Sequence, residues 1–143
     1  NTGWLEGIEM IMATAADTAR AASHSPILEL VNSVSRYPAF AEHGTDLKLF
    51  SDGIQNSELA RFCRVQGHMP SYTRFSERAE YEAVRPGRLE EVQVEMFLSE
   101  FGPLPNDELK YCSNVELRGW WGDYFADTGA ADVTITPLRY FGD

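Results

Sequence analysis

The stretch Val115-Glu116-Leu117-Arg118-Gly119-Trp120-Trp121-Gly122-Asp123-Tyr124-Phe125, VELRGWWGDYF, holds the densest run of large side chains in the sequence, with one carboxylate, Asp123, inside it. Aromatic and branched residues suit a pleated, half-buried surface. The stretch therefore reads as the end of a long strand, residues 109–125, against which the other elements pack. A strand alternates its side chains between two faces. Leu109, Tyr111, Val115, Leu117, Trp121 and Phe125 then share one face, and Asp123 shares it with them.

Two further long strands are expected upstream, residues 72–84 and 89–101. Pro86-Gly87 separates them as a tight hairpin turn, and residues 102–107 form a longer loop before the last strand. Val92, Val94, Met96 and Leu98 share one phase of the middle strand; Phe75, Ala79, Tyr81 and Ala83 share one phase of the first, with Glu77 among them. Val133-Thr134-Ile135-Thr136 adds a short final strand before Pro137. The N-terminal part reads differently. Leu5, Ile8, Met12, Ala15, Ala19 and Ala22 recur at helical spacing and predict a helix over residues 5–22. Ser25-Pro26 announces a second helix, a capping residue followed by proline at the first helical position. It carries Ile27, Leu28, Leu30, Val31 and Val34 and stops before Pro38. Residues 46–50 alternate as a short strand, Asp52-Gly53 marks a turn, and Asn56 or Ser57 caps a third helix through Leu59, Phe62 and Cys63 to Gly67. Helices first and a strand meander second predict a single α+β domain over residues 1–143, with N-terminal helices packed on a curved, cone-like antiparallel β-sheet around an interior pocket.

The net charge of −10 disfavours nucleic acid and anionic membrane surfaces as partners, because both would be repelled. No apolar run reaches transmembrane length. The two cysteines, Cys63 and Cys112, lack the spacing of a zinc or redox motif, and read as unpaired thiols in a reducing, cytoplasmic setting. No metal and no cofactor is expected.

A carboxylate on an apolar face loses hydration, which raises its proton affinity and suits it to acid–base work near neutral pH. Asp123 is the first candidate, walled by Trp120, Trp121, Tyr124 and Phe125, with Glu77 as a second acid on the covered face. The bland alternatives are that Asp123 ends the strand in solvent, that a bulge turns Glu77 outward, and that the Trp and Tyr side chains are ordinary core. His43 and His68 flank elements that feed the sheet and stand as general-base candidates, whereas His24 has no such placement. Tyr72, at the start of the first long strand, joins the candidate binding residues.

Phe40-Ala41-Glu42-His43, the short strand after it, Asp52-Gly53 and the helix through Leu59, Phe62 and Cys63 resemble the SnoaL-like polyketide cyclases. Ser76-Glu77-Arg78-Ala79-Glu80 and Gly119-Trp120-Trp121-Gly122-Asp123-Tyr124-Phe125 resemble strand segments of the limonene epoxide hydrolases. Both groups belong to the cone-shaped superfamily of nuclear transport factor 2. The resemblance spans roughly residues 38–125. It implies an apolar pocket and an acid–arginine–acid arrangement in which Asp123 is the general base, Arg78 the bridging residue and Glu80 the general acid. Glu80 stands where that family has aspartate, and the strand at 46–50 lacks the tyrosine and asparagine that hold the attacking water.

Two function classes follow: a cofactor-independent hydrolase, cyclase or isomerase acting on a small apolar molecule, or a non-catalytic ligand-binding or dimerisation module of the same fold, paired through its sheet. An extracytoplasmic sensory domain, its first helix continuing from a membrane span, is a third.

Overall fold

The computed structural model of the chain describes residues 8–13, 26–62, 71–100 and 114–139. In chain order the elements are β1 (Ile8–Ala13), α1 (Ile27–Arg36), α2 (Pro38–His43), β2 (Gly44–Ser51), α3 (Tyr72–Ser76), a 3-10 turn (Ala79–Ala83), β3 (Gln93–Glu100), α4 (Asn114–Asp127) and β4 (Asp132–Arg139). The four strands form one sheet in the order β1-β2-β3-β4, and every pairing is parallel. This overturns the antiparallel cone expected from the sequence. The mixture of helices and strands holds, but among the described residues no curved antiparallel sheet exists. The fold implied by the family resemblance is therefore not the one this chain adopts.

Parallel neighbours need long crossover connections rather than hairpins, and the chain supplies them between Ala13 and Gly44, Ser51 and Gln93, and Glu100 and Asp132. Crossovers between sequential parallel neighbours are right-handed as a rule, and that rule puts connecting helices on one face of the sheet. The burial pattern agrees. Leu47, Leu49, Val94, Met96 and Leu98 are buried and join one core with Ile27, Leu28 and Val31 of α1 and Leu117, Trp121 and Phe125 of α4. The opposite face carries Asp46, Lys48, Gln93, Glu95, Asp132 and Thr134, half-buried or exposed, with the rings of Phe50 and Phe97 stacked 4.4 Å apart.

Several sequence expectations survive. The strands at 46–50 and 89–101 correspond to β2 and β3, and the Val92, Val94, Met96, Leu98 phase is the buried one. The helix after Ser25-Pro26 is α1, with Leu30 on its exposed side. Its end before Pro38 is also seen, since that proline opens α2. The predicted strand at 133–136 is part of β4, which runs on through Pro137; an edge strand tolerates a missing N–H donor.

Four do not survive, and the first three are local. Residues 8–13 of the predicted first helix are strand β1; the rest of that helix, with Cys63, Cys112, His24 and His68, lies outside the described residues. Residues 56–62 are not helical. Asn56 and Arg61 form an isolated antiparallel bridge, closed by hydrogen bonds from Ser57 N to Ala60 O and from Phe62 N to Gln55 O. Residues 72–84 are not a strand but α3, capped by the Ser71 hydroxyl on the Arg74 N–H, followed by the 3-10 turn.

The largest change concerns VELRGWWGDYF. It is helix α4, and Leu117, Trp120, Trp121, Tyr124 and Phe125 are its buried residues. These positions follow the three- and four-residue steps of one helical face. The helix stops at a residue type made for it: Gly129 has φ +79°, and the N–H groups of Thr128 and Gly129 return to the carbonyls of Phe125 and Ala126. Burial drives this helix against its own local preference, because Gly119 and Gly122 each cost roughly 0.5–1 kcal/mol relative to alanine in a helix interior. A Cβ at either glycine would meet nothing within 4 Å. Gly119→Ala and Gly122→Ala should each raise stability by about 0.5–1 kcal/mol in urea denaturation; loss of stability in both would argue against the helix. Gly53 behaves oppositely. It has φ +77°, and a Cβ there would lie 2.6 Å from Leu98 Cδ1 and 3.1 Å from Trp121 Nε1. Gly53→Ala should cost about 1–3 kcal/mol by the same measurement, from backbone strain and displaced core.

Candidate functional site

The structure separates the residues that the sequence placed together. Asp123 lies on the exposed side of α4, two residues from Trp121 and so on the opposite face of the helix. Glu77 closes α3 and is exposed, and Arg78 and Glu80 are exposed as well. No hydrogen bond or ion pair joins Asp123, Arg78 and Glu80; the Arg78 guanidinium instead lies 5.9 Å from the centre of the Phe75 ring. His43 is exposed at the end of α2, 3.7 Å from its neighbour Glu42. The proposed acid–arginine–acid unit is not assembled.

The aromatic candidates do converge, but on one another. Trp120 stacks on Tyr124 at 5.7 Å and meets Trp121 edge-on at 4.9 Å, while Tyr72, Phe75 and Phe62 pack edge-on against Trp120. Aromatic pairs in such offset and edge-to-face arrangements add stability beyond their buried area. Trp120, Trp121 and Tyr124 are thus core, whereas Asp123 is exposed. The Tyr124 hydroxyl is fully buried and has no partner among the described residues; burial holds its proton affinity well above that of an ordinary phenol.

A different acid occupies a chemically useful place. Asp52 directly follows β2, at the carboxyl edge of the sheet. In open parallel sheets ligands bind in the crevice outside the carboxyl ends of the strands. Burial pushes the Asp52 carboxyl above the usual carboxylate range, against the lowering effect of hydrogen bonds from the Ile54 N–H and from its own N–H. Its Oδ1 accepts the Ile54 N–H at 2.9 Å, which fixes the side chain in one orientation. No cationic side chain among the described residues neutralises it. A desolvated acid without a counter-ion at a strand's carboxyl end is the pattern of a proton-transfer group.

The loop that holds Asp52 is tightly built. The Ser51 hydroxyl accepts the Gly53 N–H at 3.0 Å, and the Trp121 indole N–H donates to the Gly53 carbonyl at 2.9 Å. Gln55 is completely buried. Its Oε1 accepts the Leu28 N–H at 2.8 Å, capping α1, whose preceding Pro26 offers no side-chain cap, and its Nε2 donates to Glu29 and Ser57. Asp52 is therefore presented from a loop fastened to β2, α1 and α4 together. The sequence signal for it was visible as Asp52-Gly53, but that pair reads as an ordinary turn until the sheet is known to be parallel.

Among the described residues no three His, Cys, Asp or Glu side chains cluster as metal ligands, and no helix is long and apolar enough to cross a membrane. Comparison with known proteins returns no matching family model, no similar characterised protein and no similar solved structure.

Proposed function

We propose that the chain carries out acid–base chemistry on a small molecule held at the carboxyl edge of its sheet, with Asp52 as the group that moves the proton. The observation that carries this reading is the siting of a desolvated, uncompensated carboxyl immediately after a parallel strand. A carboxyl with raised proton affinity is a better base when ionised and remains protonated closer to neutrality, so it serves either direction of transfer. The Ile54 N–H holds Oδ1 and so fixes the carboxyl that exchanges the substrate proton. Reactions of this kind include epoxide opening by water, double-bond isomerisation and enolisation, none of which requires a covalent intermediate on the protein.

The test is Asp52→Asn, assayed beside the parent on a panel of epoxides and enolisable carbonyl compounds. Asparagine keeps an oxygen for the Ile54 N–H, so the loop stays in place while the proton carrier is lost. Turnover should fall by about 10²–10⁴-fold. A parent inert to the whole panel, or a variant as active as the parent, would sink the proposal.

Stability supplies an independent check. The folded state binds the Asp52 proton more tightly than the unfolded state, whose carboxyl titrates near 3.8. The ionised carboxyl therefore weakens the fold above its folded-state pKa, and that penalty disappears as pH falls below the unfolded value. Asp52→Asn should melt higher than the parent at pH 7, and the two should melt alike near pH 3. A variant less stable at pH 7 would show that the charge supports the fold and is not a retained liability.

A further inference from the structure

A second feature lies at the opposite, amino edge of the sheet and is independent of Asp52. A cleft of about 440 Å³ opens between the segment that leads into β3 and the end of α4, lined by Tyr81, Arg85, Arg88, Glu90, Asp127 and Gly129 among others. Its near wall is held in place by α1. The Arg85 carbonyl accepts hydrogen bonds from Asn32 Nδ2 at 2.6 Å and Arg36 Nη2 at 2.9 Å, and the Gly87 N–H donates to the Ser35 hydroxyl at 2.7 Å. The far wall is fixed by the Leu89 N–H on the Thr128 carbonyl.

Two cations and two anions face this space. The Arg85 guanidinium lies 4.7 Å above the Tyr81 ring and donates through Nε and Nη2 to Glu82, outside the cleft, which leaves Nη1 uncommitted. Arg88 donates only its Nε, to Glu90 at 2.7 Å, and its side chain is 85% exposed. An exposed pair of this kind holds weakly, so both Nη groups remain available as a fork for a carboxylate. On the other side Asp127 Oδ2 accepts the Tyr72 hydroxyl at 2.6 Å, and that hydroxyl lies 2.8 Å from the Tyr81 hydroxyl. Tyr72 has one proton and gives it to Asp127, so Tyr81 donates to Tyr72. The chain of hydroxyls ends on Asp127, whose Oδ1 has no partner among the described residues.

We infer that this cleft binds a small zwitterion, an α-amino acid or a molecule of dipeptide size, with its carboxylate on Arg85 and Arg88 and its ammonium group on Asp127. A simple anion would meet Asp127 and Glu90 in a chain already carrying −10, and a simple cation would meet two guanidinium groups. Only a ligand bearing both signs satisfies both walls.

The experiment is an NMR titration of the whole chain, following backbone amides, with L-leucine, N-acetyl-L-leucine, L-leucinamide and inorganic phosphate. L-leucine should give saturable shifts at Gly87, Arg88, Thr128 and Gly129. The acetylated and amidated forms, each missing one charge, should bind at least about tenfold more weakly. Arg88→Gln, at an exposed position that does not bear on folding, should weaken L-leucine about tenfold and leave L-leucinamide unchanged. Asp127→Asn, which keeps an acceptor for Tyr72, should weaken L-leucine and leave N-acetyl-L-leucine unchanged. Phosphate or N-acetyl-L-leucine binding as tightly as L-leucine would overturn the assignment in favour of an anion site. Absence of saturable shifts with L-leucine would overturn it outright.

Discussion

The hydrogen bond from the Trp121 indole to the Gly53 carbonyl ties helix α4 to the loop that follows β2. Gly53 sits at the exit of β2 with a positive φ that alanine would strain, and its Cα approaches Leu98 of β3 so closely that no side chain fits. Trp121 is the largest fully buried residue of α4. Removing the indole donor would leave a buried carbonyl unsatisfied, which costs roughly 1–3 kcal/mol, in addition to the volume lost from the core. The loop it holds carries Asp52 and also Gln55, whose Oε1 accepts the Leu28 N–H and so caps α1.

Residues 115–125 show the pattern of a strand and form a helix for a definite physical reason. Leu117, Trp121 and Phe125 are spaced by four, and a spacing of four fits both an alternating strand and an α-helix. Aromatic side chains and two glycines tilt local preference away from helix. The residues that decide are Trp120 and Tyr124. A strand would send them to the face away from Trp121, yet both are buried with it. Asp123 changes sides for the same reason: residues two apart share a face in a strand but stand about 200° apart around a helix. One wrong period therefore created a buried acid that does not exist. Gly129, placed just after the apolar run, is the stop signal that marks this segment as a helix.

Where burial alone decides a segment, the sequence was legible. The Val92–Met96–Leu98 phase, the strand at β2 and the helix behind Pro26 were each readable, since alternation or a cap matched the final packing. Strand direction was not legible. Parallel and antiparallel strands with one covered face show the same alternation, and here the opposite face stays polar, which resembles a meander more than a doubly covered parallel sheet. The candidate site followed from direction rather than from composition. In a meander Asp52-Gly53 is only a turn. In a parallel sheet the same pair stands at the edge where strands end together and ligands collect.

Helix α4 connects the two chemical features. Its 14 residues span about 20 Å, and it runs back from the carboxyl edge of β3 to the amino edge of β4. Midway along it Trp121 holds the Gly53 carbonyl beside Asp52; at its last residue Asp127 ends the Tyr81–Tyr72 hydroxyl chain in the cleft. Between them Trp120, Tyr124 and Phe125 are locked into the aromatic core. A helix so packed moves as a unit or not at all, because close-packed cores have few intermediate arrangements. The two edges are thus fixed relative to each other by the core. The Trp121–Gly53 bond is the point at which α4 is tied to the loop that carries Asp52.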